Sequence, residues 1–348
     1  MSPDSLIALQ IAGVAFFVSF SVTGFASLGG LGDIPDHRSS HARVTPTGGG
    51  LGIIAGIGAG VLLAGLFYQD RIFAQFGSAH RLASLMSLTF AVAFLGLLDD
   101  RYVLSSKLKF GIIFLLSVCG AVAVGPVTRL PMGGGYLHLL WGAGLAGTVL
   151  WLFTVTNAVN FIDGINGLFG LSLAIASAAL CALALKVGAP VTALIAMALA
   201  ASLLGFLPYN LRNKAAVFSG DCGSLGAAFL YAGAVLLLVR EQPHAPLLYA
   251  GPLLILPLLT DVLLTLVRKP KKGLALLAPH NTHIYQRWAR LRGNHVTVSL
   301  IYGIMAAFMA ILVHEAFGVG TLGSLAAFGI TVGVFVGLYL IRSATLPD

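Results

Sequence analysis

Long apolar blocks alternate with short hydrophilic breaks along the whole chain. Eleven blocks approach or exceed the ~20 residues with which a helix crosses a bilayer. They lie at roughly 5–29, 50–67, 82–98, 108–125, 139–157, 168–186, 190–209, 224–239, 247–267, 296–316 and 322–341. The pattern predicts an all-α, polytopic membrane protein with one membrane-embedded domain over residues 1–348, without a linker, boundary or internal repeat. A ten-helix reading, in which the last block does not span, preserves the orientation of the rest. The first block, Leu6 to Leu28, has no basic residue before it and is long for a signal peptide, so it reads as a membrane helix. Gly251, Pro252 and Pro257 predict a bent ninth helix whose freed carbonyls neighbours must satisfy. Pro126 to His138 places turn residues between short β-prone pieces, which fits a small hairpin.

Composition agrees with this pattern. Of 348 residues, 58% are hydrophobic and 9% charged, whereas soluble domains carry about 25% charged residues. The 43 glycines suit close approach between membrane helices. The three cysteines are too scattered for a disulfide framework or a zinc site. Basic residues divide fifteen to five between alternate sets of breaks. The basic-rich side is expected to face the cytoplasm, with the N-terminus outside. The net charge of +8 is then ordinary sorting charge, and no nucleic-acid partner is expected.

The acids change the picture. Six of the twelve carboxylates fall in four breaks on the basic-rich side: Asp33 and Asp36, Asp99 and Asp100, Asp163, and Asp221. Packing gives no reason to gather acids on one face, but a divalent metal and a phosphorylated substrate would. Asp99 and Asp100 end a helix, where the macrodipole is already negative, and each raises the other's pKa. They mark either a cation site or a solvated loop start. Asn157, Asn160 and Asp163 recur every three residues before Gly164 and Gly167, giving a polar helix face or an asparagine-rich capped end. Asp221, in Phe-Ser-Gly-Asp-Cys-Gly-Ser, reads as a helix cap or as part of a phosphate and metal site. His280, His283 and Arg287 would share a cationic stripe on an interfacial helix, with Ile284, Trp288 and Leu291 facing lipid. Arg38, His41 and Arg43 precede a triple glycine and would offer cations and amides to a phosphate. Asp261, inside the ninth block, is either functional or paired with a neighbouring helix.

Five segments in order resemble the polyprenyl-phosphate N-acetylhexosamine-1-phosphate transferase family. They are Asp33 to His41 with Gly48–Gly50, Leu98 to Asp100 with Lys107, Asn157 to Leu168, Asn210 with Phe218 to Ser224, and His280 to Arg287. The first and last are most similar to the branch that starts bacterial O-antigen chains. The resemblance implies a multi-pass enzyme of the bacterial inner membrane. It would take a UDP-N-acetylhexosamine and undecaprenyl phosphate, and release undecaprenyl-diphosphate-sugar and UMP. By motif, Asp221 with Asp163 would hold Mg²⁺, with Mn²⁺ as an alternative, while Asp99 or Asp100 would orient or deprotonate the lipid phosphate. Asn157, Asn160, Asn210 and Lys107 would line the nucleotide and phosphate site. His280, His283 and Arg287 would bind the sugar diphosphate, with Arg38 and His41 as further substrate-binding residues. A homodimer is compatible with the resemblance. Asn166 stands where many members have a second aspartate and is not counted as a ligand.

The competing readings fit less well. A prenyl transferase or phosphatidyl-alcohol transferase would need aspartate-rich helices that this chain lacks, and an intramembrane aspartyl protease would need its acids deeper. A transporter of a phosphorylated or lipid-linked substrate would place its acids near the midplane, where only Asp261 qualifies.

Overall fold

A computed structural model describes residues 3–29, 32–33, 45–67, 79–132, 134–243, 247–271, 283–318 and 325–344. Helices dominate. They are α1 (Pro3–Ser27), α2 (Gly49–Phe67), α3 (Ala79–Tyr102), α4 (Ser106–Val124), α5 (Trp141–Ile162), α6 (Leu168–Val187) and α7 (Pro190–Asn210). There follow α8 (Gly220–Glu241), α9 (Ala250–Leu254), α10 (Leu256–Lys271), α11 (Ile284–Arg292), α12 (His295–Gly318) and α13 (Leu325–Ala344). Among the described residues nine helices are long and apolar enough to cross a membrane, and two shorter apolar helices cover Leu256–Val267 and Phe328–Leu340. Large apolar side chains such as Phe17, Phe25, Phe94, Phe114, Ile304 and Phe308 are exposed. Such a surface is stable only in lipid. The protein is an all-α polytopic membrane protein.

α8 is the central helix. Ala227, Ala228, Phe229, Leu230, Tyr231 and Ala232 are all fully buried. It packs against α3, α5, α2 and α7. Trp151 on α5 donates its indole N–H to the Ala232 carbonyl at 3.0 Å. The expected bend in the ninth block is a break between α9 and α10 at Ile255, two residues before Pro257. Tyr231 on α8 donates its hydroxyl to the Gly251 carbonyl at 2.9 Å, so a neighbour satisfies a group freed at the break.

Two short hairpins complete the fold. β1 (Gly32–Asp33) pairs antiparallel with β2 (Thr45–Pro46). β3 (Arg129–Pro131) pairs antiparallel with β4 (Tyr136–His138), as the turn residues predict. β2 also anchors the loop before α8: Phe218 donates its N–H to the Pro46 carbonyl at 2.7 Å, and Gly49 donates to the Phe218 carbonyl at 2.9 Å. That Gly49 amide is therefore spent on packing rather than offered to a phosphate.

Glu241 ends α8 and closes the start of α7. Its buried carboxylate accepts from the Val191 N–H at 2.9 Å, the Thr192 N–H at 2.8 Å and the Thr192 hydroxyl at 2.5 Å. Removing it strands buried donors, at a cost of about 1–3 kcal/mol. Glu241→Ala is expected to lower the midpoint of thermal unfolding in detergent, with Glu241→Gln recovering part of the loss.

Candidate active site

The four acids Asp99, Asp100, Asp163 and Asp221 converge at one end of the bundle. The pair Asp99 and Asp100 lies in the last turn of α3, which runs further than its apolar block. Asp163 follows the last residue of α5. α8 starts at Gly220, earlier than its apolar block, so Asp221 lies inside its first turn.

A division of labour separates the two helix-end acids. Asp100 accepts from the Asp221 N–H at 2.8 Å and the Cys222 N–H at 3.2 Å. It thus caps α8 from another helix. Gly220 makes this possible: its φ is +62°, and a Cβ there would come within 2.4 Å of the Asp100 carboxylate. Asp221 is released from capping. Its side chain receives the Asn160 amide at 2.9 Å and the Lys109 ammonium. Asn160 also donates to the Ser224 hydroxyl at 2.9 Å.

Lys109 bridges two acids, Asp221 and Asp99, the latter at 2.8 Å. Asp99 also accepts from the Leu104 N–H at 2.6 Å, which tightens the turn between α3 and α4. Ser219, at the cap position of α8, turns its hydroxyl to Asp163 instead of to its own helix. Burial pushes the Asp163 carboxyl up to about 7; the Ser219 hydroxyl pulls it down, while the charges on Asp221 and Asp100 push it further up. Among the described residues two of the four carboxylates, Asp99 and Asp221, share the Lys109 ammonium.

Several expected site residues are placed otherwise. Lys107 is exposed; the ammonium among the acids is Lys109, which the resemblance did not single out. Asn157 turns its amide back to the Phe153 carbonyl at 2.7 Å, and its buried Oδ1 has no partner among the described residues. Asn210 joins loops: it accepts from the Gly167 N–H at 2.7 Å and donates to the Val217 carbonyl at 2.9 Å. Asn166 donates to the Arg212 carbonyl at 2.7 Å, a bond within the same loop web. Arg38, His41, Arg43 and His280 lie outside the described residues.

Residues 82–239, which contain all four acids, Lys109 and Asn160, match the model of glycosyl transferase family 4. The chain is 32% identical over 295 residues to a probable undecaprenyl-phosphate N-acetylglucosaminyl 1-phosphate transferase of Bacillus subtilis, covering 82% of this chain and 77% of that protein. It belongs to this family of polyprenyl-phosphate N-acetylhexosamine-1-phosphate transferases. It is 31% identical to a decaprenyl-phosphate N-acetylglucosaminephosphotransferase of Mycolicibacterium smegmatis, covering 87% of this chain and 80% of that one. With an undecaprenyl-phosphate alpha-N-acetylglucosaminyl 1-phosphate transferase of Thermotoga maritima it shares 26% identity, over 87% of this chain and 88% of that one. The protein is therefore a phosphoglycosyltransferase.

The transferase continues beyond the matched segment through α11, whose seat is Asp261. This fully buried carboxylate accepts from the Ile284 N–H at 3.2 Å, the Tyr285 N–H at 3.0 Å and the Tyr302 hydroxyl at 2.6 Å. His283 Nδ1 lies 3.1 Å from it. Asp261 is paired with its neighbours, as one of its two sequence readings held. The expected stripe of His280, His283 and Arg287 is corrected here: α11 starts at Ile284, so His283 precedes the helix and turns inward. The apolar stripe is corrected as well. Ile284 is buried against Tyr339, with Trp288 and Leu264 beside it, and only Leu291 of the stripe is exposed. Tyr285 then reaches the acids' loop, donating its hydroxyl to the Phe161 carbonyl at 3.0 Å.

The transferase's acids are held by a close helix contact. A Cβ on Gly96 of α3 would meet the Asp221 carbonyl carbon and oxygen at 2.4 Å and the Cys222 nitrogen at 2.5 Å. These are backbone atoms and cannot rotate aside. Gly96→Ala, which helix propensity alone favours by ~1 kcal/mol, is expected to move the first turn of α8. Turnover should fall by about 100-fold, the scale of a misplacement of about 1 Å, with monodisperse protein still recovered on gel filtration.

Proposed function

We propose that the protein transfers N-acetylglucosamine-1-phosphate from UDP-N-acetylglucosamine to undecaprenyl phosphate at the cytoplasmic face of a bacterial inner membrane. The products are undecaprenyl-diphosphate-N-acetylglucosamine and UMP, and the step would initiate a cell-surface glycan such as O-antigen. The observation that carries this reading is the convergence of Asp99, Asp163 and Asp221 around Lys109 and Asn160. The relatives' names supply the sugar and the lipid. The fifteen-to-five division of basic residues supports the cytoplasmic side.

Each residue then has a task. An oxygen of the lipid phosphate attacks the phosphorus that carries the sugar, and the bond from that phosphorus to the bridging oxygen breaks, with the electron pair leaving on UMP. Asp99, held by Lys109 and the turn after α3, orients the lipid phosphate and takes its proton where one is present. Lys109 can exchange a carboxylate for a phosphate oxygen as the substrates enter. Asn160 keeps Asp221 directed into the site. α4 carries Lys109 at its start and exposes Leu108, Phe114 and Leu115 along its flank, an apolar track for the prenyl chain. α11, set by Asp261, closes the sugar side with buried Arg287.

The donor set suits Mg²⁺. Among the described residues no three side chains form a ready-made metal cage. Mg²⁺ is ordinarily held by one or two carboxylates together with substrate phosphates and water, so a complete protein cage is not required. Asp221 and Asp163 supply hard oxygen donors, and burial together with the charges of Asp221 and Asp100 raises the Asp163 carboxyl, a penalty that a cation there would offset. When bound, the ion would neutralise the diphosphate and the leaving UMP.

Two measurements test the proposal. Purified protein with undecaprenyl phosphate, Mg²⁺ and UDP-N-acetylglucosamine should release UMP, and Asp221→Asn should reduce that release by at least about 1,000-fold, the scale of a lost charge-stabilising group. Wild-type rates in Asp221→Asn would remove Asp221 from the metal site. The second concerns protons. Asp163, with its carboxyl at about 7, binds a proton through the acid range that a carboxylate in water has already lost. Mg²⁺ must displace it, so Mg²⁺ affinity should climb as pH increases toward 7 and level off above. The same group makes folding less favourable as pH rises from the ordinary carboxylate range to about 7. Calorimetry in two buffers of different ionisation heat should detect proton release on Mg²⁺ binding below pH 7, and Asp163→Asn should remove it.

A further inference from the structure

A cavity that the transfer reaction does not use lies at the other end of the bundle. Three helices fix its position. α3 runs from the Arg81 end to Asp99, α5 from Trp141 to the Asp163 end, and α8 from Asp221 to Arg240. α8 has 22 residues, which at 1.5 Å per residue separates the cavity from the acids by roughly 30 Å. The cavity has a volume of about 370 Å³, and its walls include Arg129, Tyr136, Val239, Arg240 and Leu248.

Arg240 is fixed before any ligand arrives. Its Nη2 donates to the Pro126 carbonyl. The guanidinium occupies space that a side chain at residue 125 would take: a Cβ on Gly125, whose φ is +96°, would lie 2.7 Å from Nη2. Its Nε is buried and has no acceptor among the described residues. That nitrogen is sealed from the cavity, so the guanidinium offers an anion there its charge and its remaining donors. Arg129 is exposed at the same cavity, and the charge of Arg81 is felt at Arg240. Among the described residues no carboxylate lines the cavity. Glu241, next to Arg240, is turned to α7 and saturated there.

The walls are fixed, and apolar side chains are exposed beside the cavity, where Leu139, next to Leu140, donates its N–H to the carbonyl of the lining residue Thr128 at 2.8 Å. Tyr249 donates its hydroxyl to the Pro131 carbonyl at 2.7 Å, and Val127 donates its N–H to the Thr148 hydroxyl at 2.9 Å. Met132, Leu137, Leu140 and Trp141, on and just after the hairpin, are all exposed. Exposed tryptophan and aliphatic side chains beside a polar hairpin belong at headgroup depth. An anion presented there, against a cationic cavity with apolar side chains beside it, is a lipid headgroup.

We propose that this cavity binds the phosphate headgroup of an anionic membrane lipid, drawn from the leaflet opposite the carboxylate site. Arg240 and Arg129 hold the phosphate, and the acyl chains leave past Leu140 and Trp141.

The full-length protein in neutral detergent is titrated with short-chain phosphatidylglycerol, short-chain phosphatidylcholine or inorganic phosphate, and bound molecules are counted by native mass spectrometry. Wild-type protein should hold one more phosphatidylglycerol than Arg129→Gln or Arg240→Gln, with affinity for that molecule roughly tenfold weaker in each variant, as for loss of one charge-assisted contact. Leu248→Trp keeps both guanidiniums but fills the cavity, and should lose the same molecule. Arg240→Gln also loses the bond to Pro126 and can fail to fold. Arg129→Gln, whose exposed side chain makes no bond among the described residues, then decides alone. Equal retention of phosphatidylcholine, displacement by an equal concentration of inorganic phosphate, or an unchanged lipid count in Arg129→Gln and Leu248→Trp would each overturn the proposal.

Discussion

The amino end of a helix presents N–H groups that water satisfies in soluble proteins and that a bilayer cannot. This protein meets that constraint with carboxylates lent by neighbouring helices. Asp100 on α3 caps α8, Glu241 on α8 caps α7, and Asp261 on α10 caps α11. Each bond opposes a negative charge to the positive end of a helix dipole while removing bare donors from the apolar interior. Each also fixes one helix relative to another at the depth where it matters. The Asp100 cap has the largest consequence, because it lets Ser219 and Asp221 turn away from their own helix.

The acids thus fall into two kinds. Those that hold helix ends have their oxygens occupied by backbone N–H groups. Those that face the site have side-chain partners: Asp221 has Lys109 and Asn160, Asp163 has the Ser219 hydroxyl, and Asp99 has Lys109 beside the Leu104 N–H. Side-chain partners can rotate aside when substrate arrives, and backbone partners cannot. Adjacent aspartates in one turn of α3 are therefore held differently, Asp100 by two backbone N–H groups of α8 and Asp99 by the Leu104 N–H and the Lys109 ammonium.

Much of this was legible in the sequence. Block lengths gave nine of the eleven expected spans among the described residues, and Pro257 the broken helix; of the three polar residues spaced every three, Asn160 and Asp163 reach the acids' loop while Asn157 turns back to Phe153. Lys109 was harder to find, although a signal for it existed. Acids at the end of α3 and lysines at the start of α4 are each unfavourable to their own dipole, and a short turn joins them so that they neutralise each other. Choosing Lys109 over Lys107 needed the phase of α4, which apolar lengths do not supply. The inward turn of His283 was hidden because the spacing of His280, His283 and Arg287 assumed a helix from His280, four residues before α11 begins. Asn210 reads as a ligand in a motif, but its amide joins the Gly167 N–H, 43 residues away, to the nearby Val217 carbonyl, and the first of these contacts no local pattern encodes.

The tie from Tyr285 to Phe161 joins segments more than a hundred positions apart in the chain. A ribosome delivers α3, α4, α5 and α8 to the membrane well before α10, α11 and α12. The acid cluster can therefore assemble on the nascent chain while α11 is still missing. Asp261 completes its bonds only when Tyr302 follows in α12. Biosynthesis thus orders the parts: the charged centre is built first, and the last helices to emerge decide when it becomes enclosed.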